Sequence, residues 1–303
     1  MRSININKLL LGGKNRGGLI HGLLMYAALV SIGFVFLYPI LYMAALSFMS
    51  MEDLLNHAIN WLPSALYLGN YQMAANVMNF FPVLLQTFIV SASPSLLQTV
   101  AAAFIGYGLA RFEFKGKNLI LIMVLVTFVI PPQVLLIPRH ILFNQLGFLD
   151  SIQVYLLPAV SGQGINSAIF VLIFFQTFRS LPKSLEEAAQ LDGAGHFKIF
   201  FLIALPLAVP AIIVSLLFSF VWYWNETYLA AIYLGGSLST LPLQLERFVS
   251  QFNTMFAMQQ ETNLNEGIEM AGTFLSIMPL LIVYFVLQRE FVESVDKTGI
   301  TGE

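Results

Sequence analysis

The chain has 303 residues, of which 58% are hydrophobic and only 10% charged, against about 25% charged in soluble domains. That balance excludes a soluble globular domain and gives no basic surface for nucleic acid. The net charge of −2 is the sum of two faces of opposite sign, and the absence of cysteine excludes disulfides and thiolate metal sites.

Apolar runs lie near 19–48, 80–110, 118–137, 154–178, 204–230 and 268–287. Each reaches the roughly 20 residues that cross a bilayer, so six transmembrane helices are predicted, with both termini on one side. Residues 1–18 form a basic N-terminal segment. Its Gly12-Gly13-Lys14 has no earlier glycine at P-loop spacing and is followed by Asn15. The first span, 19–48, is too long for a signal-peptide apolar region and no small-residue cleavage site follows, so it is expected to be retained. A loop over 49–79 contains Trp61-Leu62-Pro63 and Leu68-Gly69-Asn70-Tyr71. In the second span, Ser91, Ser93, Pro94 and Ser95 soften the helix and favour close packing. Pro131-Pro132 ends or bends the third span, and Pro158, Gly162 and Gly164 interrupt the fourth.

The fifth span starts with Pro206 and Pro210, which leave the carbonyls of Leu202 and Pro206 without intrahelical donors. Two readings stand: harmless prolines near a helix start, or a stiff, bent lever. Glu226 is the one acid well inside an apolar run, roughly 33 Å along from Ala204 at helical rise. Trp222, Tyr223, Trp224, Asn225 and Tyr228 surround it in sequence. The group is either an interfacial aromatic belt with a structural polar pair, or part of a path for a hydroxyl-rich solute. An outer loop over 235–267 and a tail over 291–303 complete the chain.

Charge placement orients these spans. Arg2, Lys8, Lys14, Arg16, Arg111, Lys115, Lys117, Arg179, Lys183, Lys198, Arg289 and Lys297 fall in the termini and the second and fourth connections. Only Arg139 and Arg247 lie elsewhere. Positive residues mark the cytoplasmic side, so both termini and the 180–203 loop are expected there. The outer loops carry Glu52, Asp53, Asp150, Glu246, Glu261, Glu266 and Glu269.

Catalytic signatures are missing. His21, His57, His140 and His196 are far apart, no H-E-x-x-H helix occurs, and no span holds paired carboxylates. Active transport would then draw its energy from a partner or an ion gradient.

The 180–203 loop is the most specific segment. Ser184 with Glu187 three residues on is a capping-box pattern that predicts a helix start. Leu181, Leu185 and Ala188 recur on one helical face. A piece this short is marginal alone in water and needs a groove to lie in. Ala188 and Ala189 let a partner approach closely, Gly193 and Gly195 permit a turn, and Asp192 is placed to cap a following helix from Ala194.

The string E-A-A-x3-G-x9-I-x-L-P at Glu187-Ala188-Ala189, Gly193, Ile203 and Leu205-Pro206 resembles the signature loop of binding-protein-dependent ABC importer permeases. Tyr107-Gly108-Leu109-Ala110-Arg111-Phe112, Ile130-Pro131-Pro132, Leu146-Gly147-Phe148-Leu149-Asp150 and Trp224-Asn225-Glu226 are similar to elements of the family's carbohydrate-uptake branch. The likeness runs from about residue 30 to 292. Six spans and a short first outer segment resemble the maltose-type second permease, the smaller half of a heterodimer. The tail departs from the family pattern, with Ser294 where glycine is common.

The resemblance implies an all-α, six-helix type I ABC importer permease fold in a bacterial inner or plasma membrane, with both termini cytoplasmic and a five-helix core over 80–290. It implies a second permease, a dimeric ATPase and an extracytoplasmic solute-binding protein as partners. ATP and Mg are used by the ATPase, and this chain holds no cofactor or metal. Glu187, Ala188, Ala189, Asp192, Gly193, Leu205 and Pro206 are the implied coupling residues, and Trp222, Trp224, Asn225, Glu226 and Tyr228 the candidate path. A permease for a non-sugar solute keeps the same mechanism. A self-sufficient secondary carrier would place ion sites near broken midplane helices, for which Pro158–Gly164 is the one suitable segment.

Overall fold

A computed structural model describes residues 12–13, 16–17, 19–58, 61–257 and 264–299. Most of the N-terminal segment 1–18, Glu261 of the outer loop and residues 300–303 of the tail lie outside the described residues. Apart from a two-residue antiparallel pairing of β1 (Gly12–Gly13) with β2 (Arg16–Gly17), the described chain is helical. The helices are α1 (Leu19–Ser47), α2 (Met51–Leu55), α3 (Gly69–Val77), α4 (Phe80–Arg111), α5 (Lys117–Val129), α6 (Leu136–Gln145), α7 (Gln153–Val160) and α8 (Ser167–Ser180). There follow α9 (Lys183–Leu191), α10 (His196–Ile199), α11 (Leu205–Leu207), α12 (Val209–Asn225), α13 (Tyr228–Tyr233), α14 (Leu241–Glu246), α15 (Phe248–Met255) and α16 (Glu266–Gly299).

Among the described residues, three helices are long and apolar enough to cross a membrane: α1, α4 and α16. The count reaches six if each of three bent pairs is one span. The breaks expected at Pro131-Pro132 and at Pro158–Gly164 are found, and the run 204–230, for which a bent start was one of two readings, is broken as well. In the third, α5 and the following segment meet at 98°, because a residue preceding proline is driven out of the helical region. Ile130 accordingly has ψ 121° and Pro131 ψ 134°. In the fourth, α7 ends at Val160 and α8 starts at Ser167, with Gly162 (φ 71°) and Asn166 (φ 52°) left-handed between them. In the fifth, a widened π-type turn over Phe200–Ala204 leads into α11, and α12 departs at 76° after Ala208. Pro94 does not interrupt α4, which runs unbroken for 32 residues.

The described residues divide into two compact units. The first takes Met1–Ala74 and Phe256–Phe274. Here the Leu68-Gly69-Asn70-Tyr71 segment closes the end of α1: the Asn70 amide donates to the carbonyls of Ser47 (3.0 Å) and Met49 (2.8 Å). The Ser47 carbonyl is an orphan acceptor at the helix C-terminus. The Tyr71 hydroxyl lies 2.7 Å from Ser47 Oγ. Asp53 receives the Ser64 hydroxyl at 2.5 Å and the Ser64 N–H at 3.2 Å, and it forms a capping box with Ser50. The Ser64 hydroxyl holds its carboxyl below the usual carboxylate range, against an opposing effect of burial.

The second unit takes Ala75–Met255 and Leu275–Glu303. Its central helix is α4, on which α7, α8 and α12 all pack. Lipid offers no water to expel, so close packing must supply the attraction. Ala102 and Ala103 of α4 meet Phe170, Phe174 and Phe178, spaced four apart on α8, together with Phe200, Ala204, Ala208 and Ala211. A second cluster joins Val90, Phe143, Val154, Tyr155, Tyr223 and Tyr233.

Candidate functional site

Two places in the second unit concentrate polar groups and interrupted helices: the signature loop and a cavity among the broken spans.

In the signature loop, α8 stops at Ser180 because Leu181 precedes Pro182 and adopts ψ 138°. The chain turns by 70° into α9. The cap at this start is Pro182, with no side-chain cap bond, so the expected capping box on Ser184 is corrected: Ser184 lies inside the first turn. The pre-set φ of proline already suits a helix entrance. The expected cap from Asp192 is corrected as well. Asp192 ends α9, and α10 starts at His196 behind Gly195 with no side-chain cap bond.

The spacing of the E-A-A-x3-G string has a backbone cause. Gly193 N–H donates to Gln190 O at 3.0 Å and Ala194 N–H to Ala189 O at 2.9 Å, the paired bonds of a Schellman C-cap. This requires a left-handed residue after the cap, and Gly193 has φ 82°. Glu187, Ala188, Asp192 and Gly193 are all exposed, and Ala189 half-buried. Leu191 is 90% exposed and Phe197 76%, beside exposed Leu185, Phe201 and Leu202. Leu205 packs on the core while Pro206 is exposed. The inner face of the loop is tied down by Arg111 at the end of α4. Its Nε lies 2.9 Å from Glu186 Oε1 as an ion pair without an aligned hydrogen bond, and its Nη2 donates to Leu181 O at 2.9 Å.

The cavity has a volume of about 300 Å³. Its wall takes in two of the three interruptions, Ile130 and Pro132 from the third span and Gly162–Ser167 from the fourth, together with Glu226 and Tyr228 beyond the end of α12. Irregular backbone at membrane depth is tolerated where it is buried in protein or lines a cavity. Gln133, Arg139, Gln163 and Asn166 add polar groups. Arg139 Nη2 donates to Gln163 O at 3.3 Å, and Glu226 Oε1 accepts the Leu229 N–H at 2.7 Å at the start of α13.

Behind the wall, side chains replace the bonds lost in the fourth span. Gln98 Nε2 donates to Ile165 O at 2.8 Å, Ile165 N–H donates to the Tyr223 hydroxyl at 3.3 Å, and that hydroxyl donates to Gln98 Oε1 at 2.8 Å. The chain passes so close that a Cβ on Gly164 would lie 1.9 Å from Gln98 Oε1.

Of the five candidate path residues, Glu226 and Tyr228 line this cavity. The other three do not. Trp224 is 2% exposed against Phe220, Trp222 packs on Phe170 at 5.2 Å between ring centres, and Asn225 bonds back to Val221 O at 2.9 Å. Sequence reasoning passed over Gln98 and Glu186, gave Arg139 no role at a site, and took Tyr223 only as one of the aromatics around Glu226. A glutamine inside an apolar run was the available signal, since polar groups at that depth need partners. Among the described residues, no group of three or more His, Asp or Glu could hold a metal ion.

The chain is 31% identical over 278 residues to the osmoprotective compounds uptake permease protein GgtD of Synechocystis sp., covering 89% of each chain. It is 30% identical over 253 residues to a probable starch degradation products transport system permease protein, AmyC, of Thermoanaerobacterium thermosulfurigenes, covering 82% of this chain and 86% of that one. Its fold matches a chain in the crystal structure of a bacterial ABC transporter involved in the import of the acidic polysaccharide alginate, with TM-score 0.64, 23% identity, and coverage of 90% and 96%. Residues 99–297 match the family described as binding-protein-dependent transport system inner membrane component, and the chain belongs to that family of ABC transporter permeases.

Proposed function

We propose that this chain is a membrane-spanning permease subunit of an ATP-driven oligosaccharide importer. It shares its translocation path with a second permease and takes its motion from a dimeric ATPase through Glu187, Ala188, Ala189, Asp192 and Gly193, with Leu205-Pro206 starting the lever behind them. In this reading the termini and signature loop face the cytoplasm of a bacterial cell, and a solute-binding protein delivers cargo from outside. ATP and Mg act on the ATPase.

The observation that carries the reading is the two-sided character of the loop. One side is anchored by Arg111, while Leu191, Phe197 and Glu187 stand out in the open. Apolar side chains exposed on a charged loop are the mark of a surface waiting for a partner. The cargo class rests on relatives named for oligosaccharide transport and on a cavity offering Gln133, Asn166, Glu226 and the Tyr228 ring. Sugar hydroxyls suit such amide, acid and aromatic groups.

A gentle-detergent pull-down of the tagged chain from its native membrane tests this. Copurification of a second permease, a P-loop ATPase and a solute-binding protein, with ATP hydrolysis stimulated by starch- or arabinose-derived oligosaccharides, is expected. A relative named for osmoprotective compounds favours a second reading, in which the same machine carries a small non-sugar osmolyte. Stimulation by osmolytes but by no oligosaccharide would establish it. Uptake by the chain alone, without ATP, would overturn both in favour of a secondary carrier.

A further inference from the structure

The coupling helix α9 is joined to α8 by only Leu181-Pro182, and it is too short to hold a direction by itself in water. Three residues at the end of α4 settle its direction. Arg111 forms an ion pair with the Glu186 carboxylate on α9 and donates a hydrogen bond to the Leu181 carbonyl at the bend itself, each at 2.9 Å. The Arg111 side chain is 5% exposed and that of Glu186 14%. Phe112 sets its ring on His196 at 5.2 Å, where the chain leaves the loop. Tyr107 packs on Phe178 at 5.3 Å and Phe200 at 4.9 Å, on either side of the loop. One six-residue stretch therefore grips the entrance, the helix and the exit of the signature loop.

We propose that Tyr107, Arg111 and Phe112 are positioning residues that latch the signature loop to α4. A push on α9 is then delivered to α4, to which it has no nearby covalent link, as well as to α8. The guanidinium is suited to this because its fork serves two acceptors at once, whereas a lysine ammonium is a point charge on a flexible stem. Removing Arg111 leaves Glu186 and a helix-end carbonyl without their partner in a largely water-free place. The motion reaches a useful address: thirteen residues earlier, about 20 Å along the same rigid helix, Gln98 holds the broken backbone behind the cavity. The consequence for transport rests on the coupling role proposed above, but the latch itself does not.

The chain has no cysteine, so a single spin label can be placed at will. With the full chain in nanodiscs and no ATPase present, a label on Leu191→Cys is expected to be ordered. Arg111→Ala should free it severalfold, Arg111→Lys should restore it only partly, and the swap Arg111→Glu with Glu186→Arg should restore more order than either single change. A label on Phe81→Cys, at the other end of α4, should not respond. Unchanged order at Leu191 in Arg111→Ala, or equal loosening at both labels, would overturn the latch. In the complete complex, Arg111→Ala should lower uptake per ATP severalfold while hydrolysis persists; an unchanged ratio would overturn the delivery of motion through α4. Adding the ATPase should order the Leu191 label further in the unsubstituted background. If it does not, the docking reading fails while the latch result stands.

Discussion

The signature loop and the broken-span cavity face the same problem and solve it in opposite ways. Both interrupt helices and so free backbone groups that must find partners. In the loop, the backbone satisfies itself through the Schellman turn at Gly193, helped by one guanidinium on Leu181 O. Side chains such as Leu191 and Phe197 are left outward. At the cavity, the backbone borrows side chains from other helices, Gln98 from α4 and Tyr223 from α12, and polar groups line an open cleft. An exposed loop has few neighbouring side chains to draw on, so its backbone must be satisfied locally. Helix breaks within apolar runs need tertiary support, because lipid offers the backbone nothing.

The sharpest way to break this contrast is at the loop. Gly193→Asp puts a side chain at φ 82°, a conformation costing roughly 1–2 kcal/mol for non-glycine residues, and misdirects the chain leaving α9. Together with Glu187→Ala, which removes an exposed acid, it should abolish ATP-driven uptake while membrane insertion stays normal. Uptake at the unsubstituted level in both would sink the docking role.

Next in size is Trp224→Ala. The side chain is buried against Phe220, so its loss should cost about 3–5 kcal/mol and lower the Tm in detergent. Glu226→Ala, at the cavity wall, should leave the Tm nearly alone and alter uptake instead. Equal effects of the two on stability would place Glu226 in the packing.

Gly164→Ala should destabilise by roughly 1–3 kcal/mol through overpacking, since its Cβ meets Gln98 Oε1 and the Tyr223 hydroxyl. Tyr223→Phe, which only deletes that hydroxyl, should cost about 1 kcal/mol. If Gly164→Ala were neutral, the close approach behind the cavity would not constrain the break.

The smallest effect belongs to Asp53 in the first unit. Its folded pKa is lowered, chiefly by the Ser64 hydroxyl. Its contribution is therefore fully present above the unfolded value of about 3.9 and is lost as pH falls through the folded value. Asp53→Asn should flatten the acid limb of a Tm-against-pH series below that point and lower the Tm near neutrality slightly. An unchanged acid limb would remove Asp53 from the stability of the loop.

Much of this molecule was legible in the chain, for reasons that are local. The apolar runs of α1, α4 and α16 follow from the needs of a bilayer. Pro131-Pro132, Pro182 and the pair Pro206 and Pro210 each mark a place where a helix bends or ends. Gly193 is needed by a turn that closes within five residues. Local signals also misled: Ser184 and Asp192 have good capping chemistry, but Pro182 and Gly195 occupy the caps. What the sequence by itself determined is where helices run and where they cannot continue, because propensity, hydropathy and proline stereochemistry act over a few residues. What only the tertiary structure decided is which distant groups repair each interruption. Arg111 with Glu186, and Gln98 with Tyr223 and Ile165, are pairings across 67 to 125 residues of chain or more than a span. Their geometry exists only once α4 is packed against its neighbours.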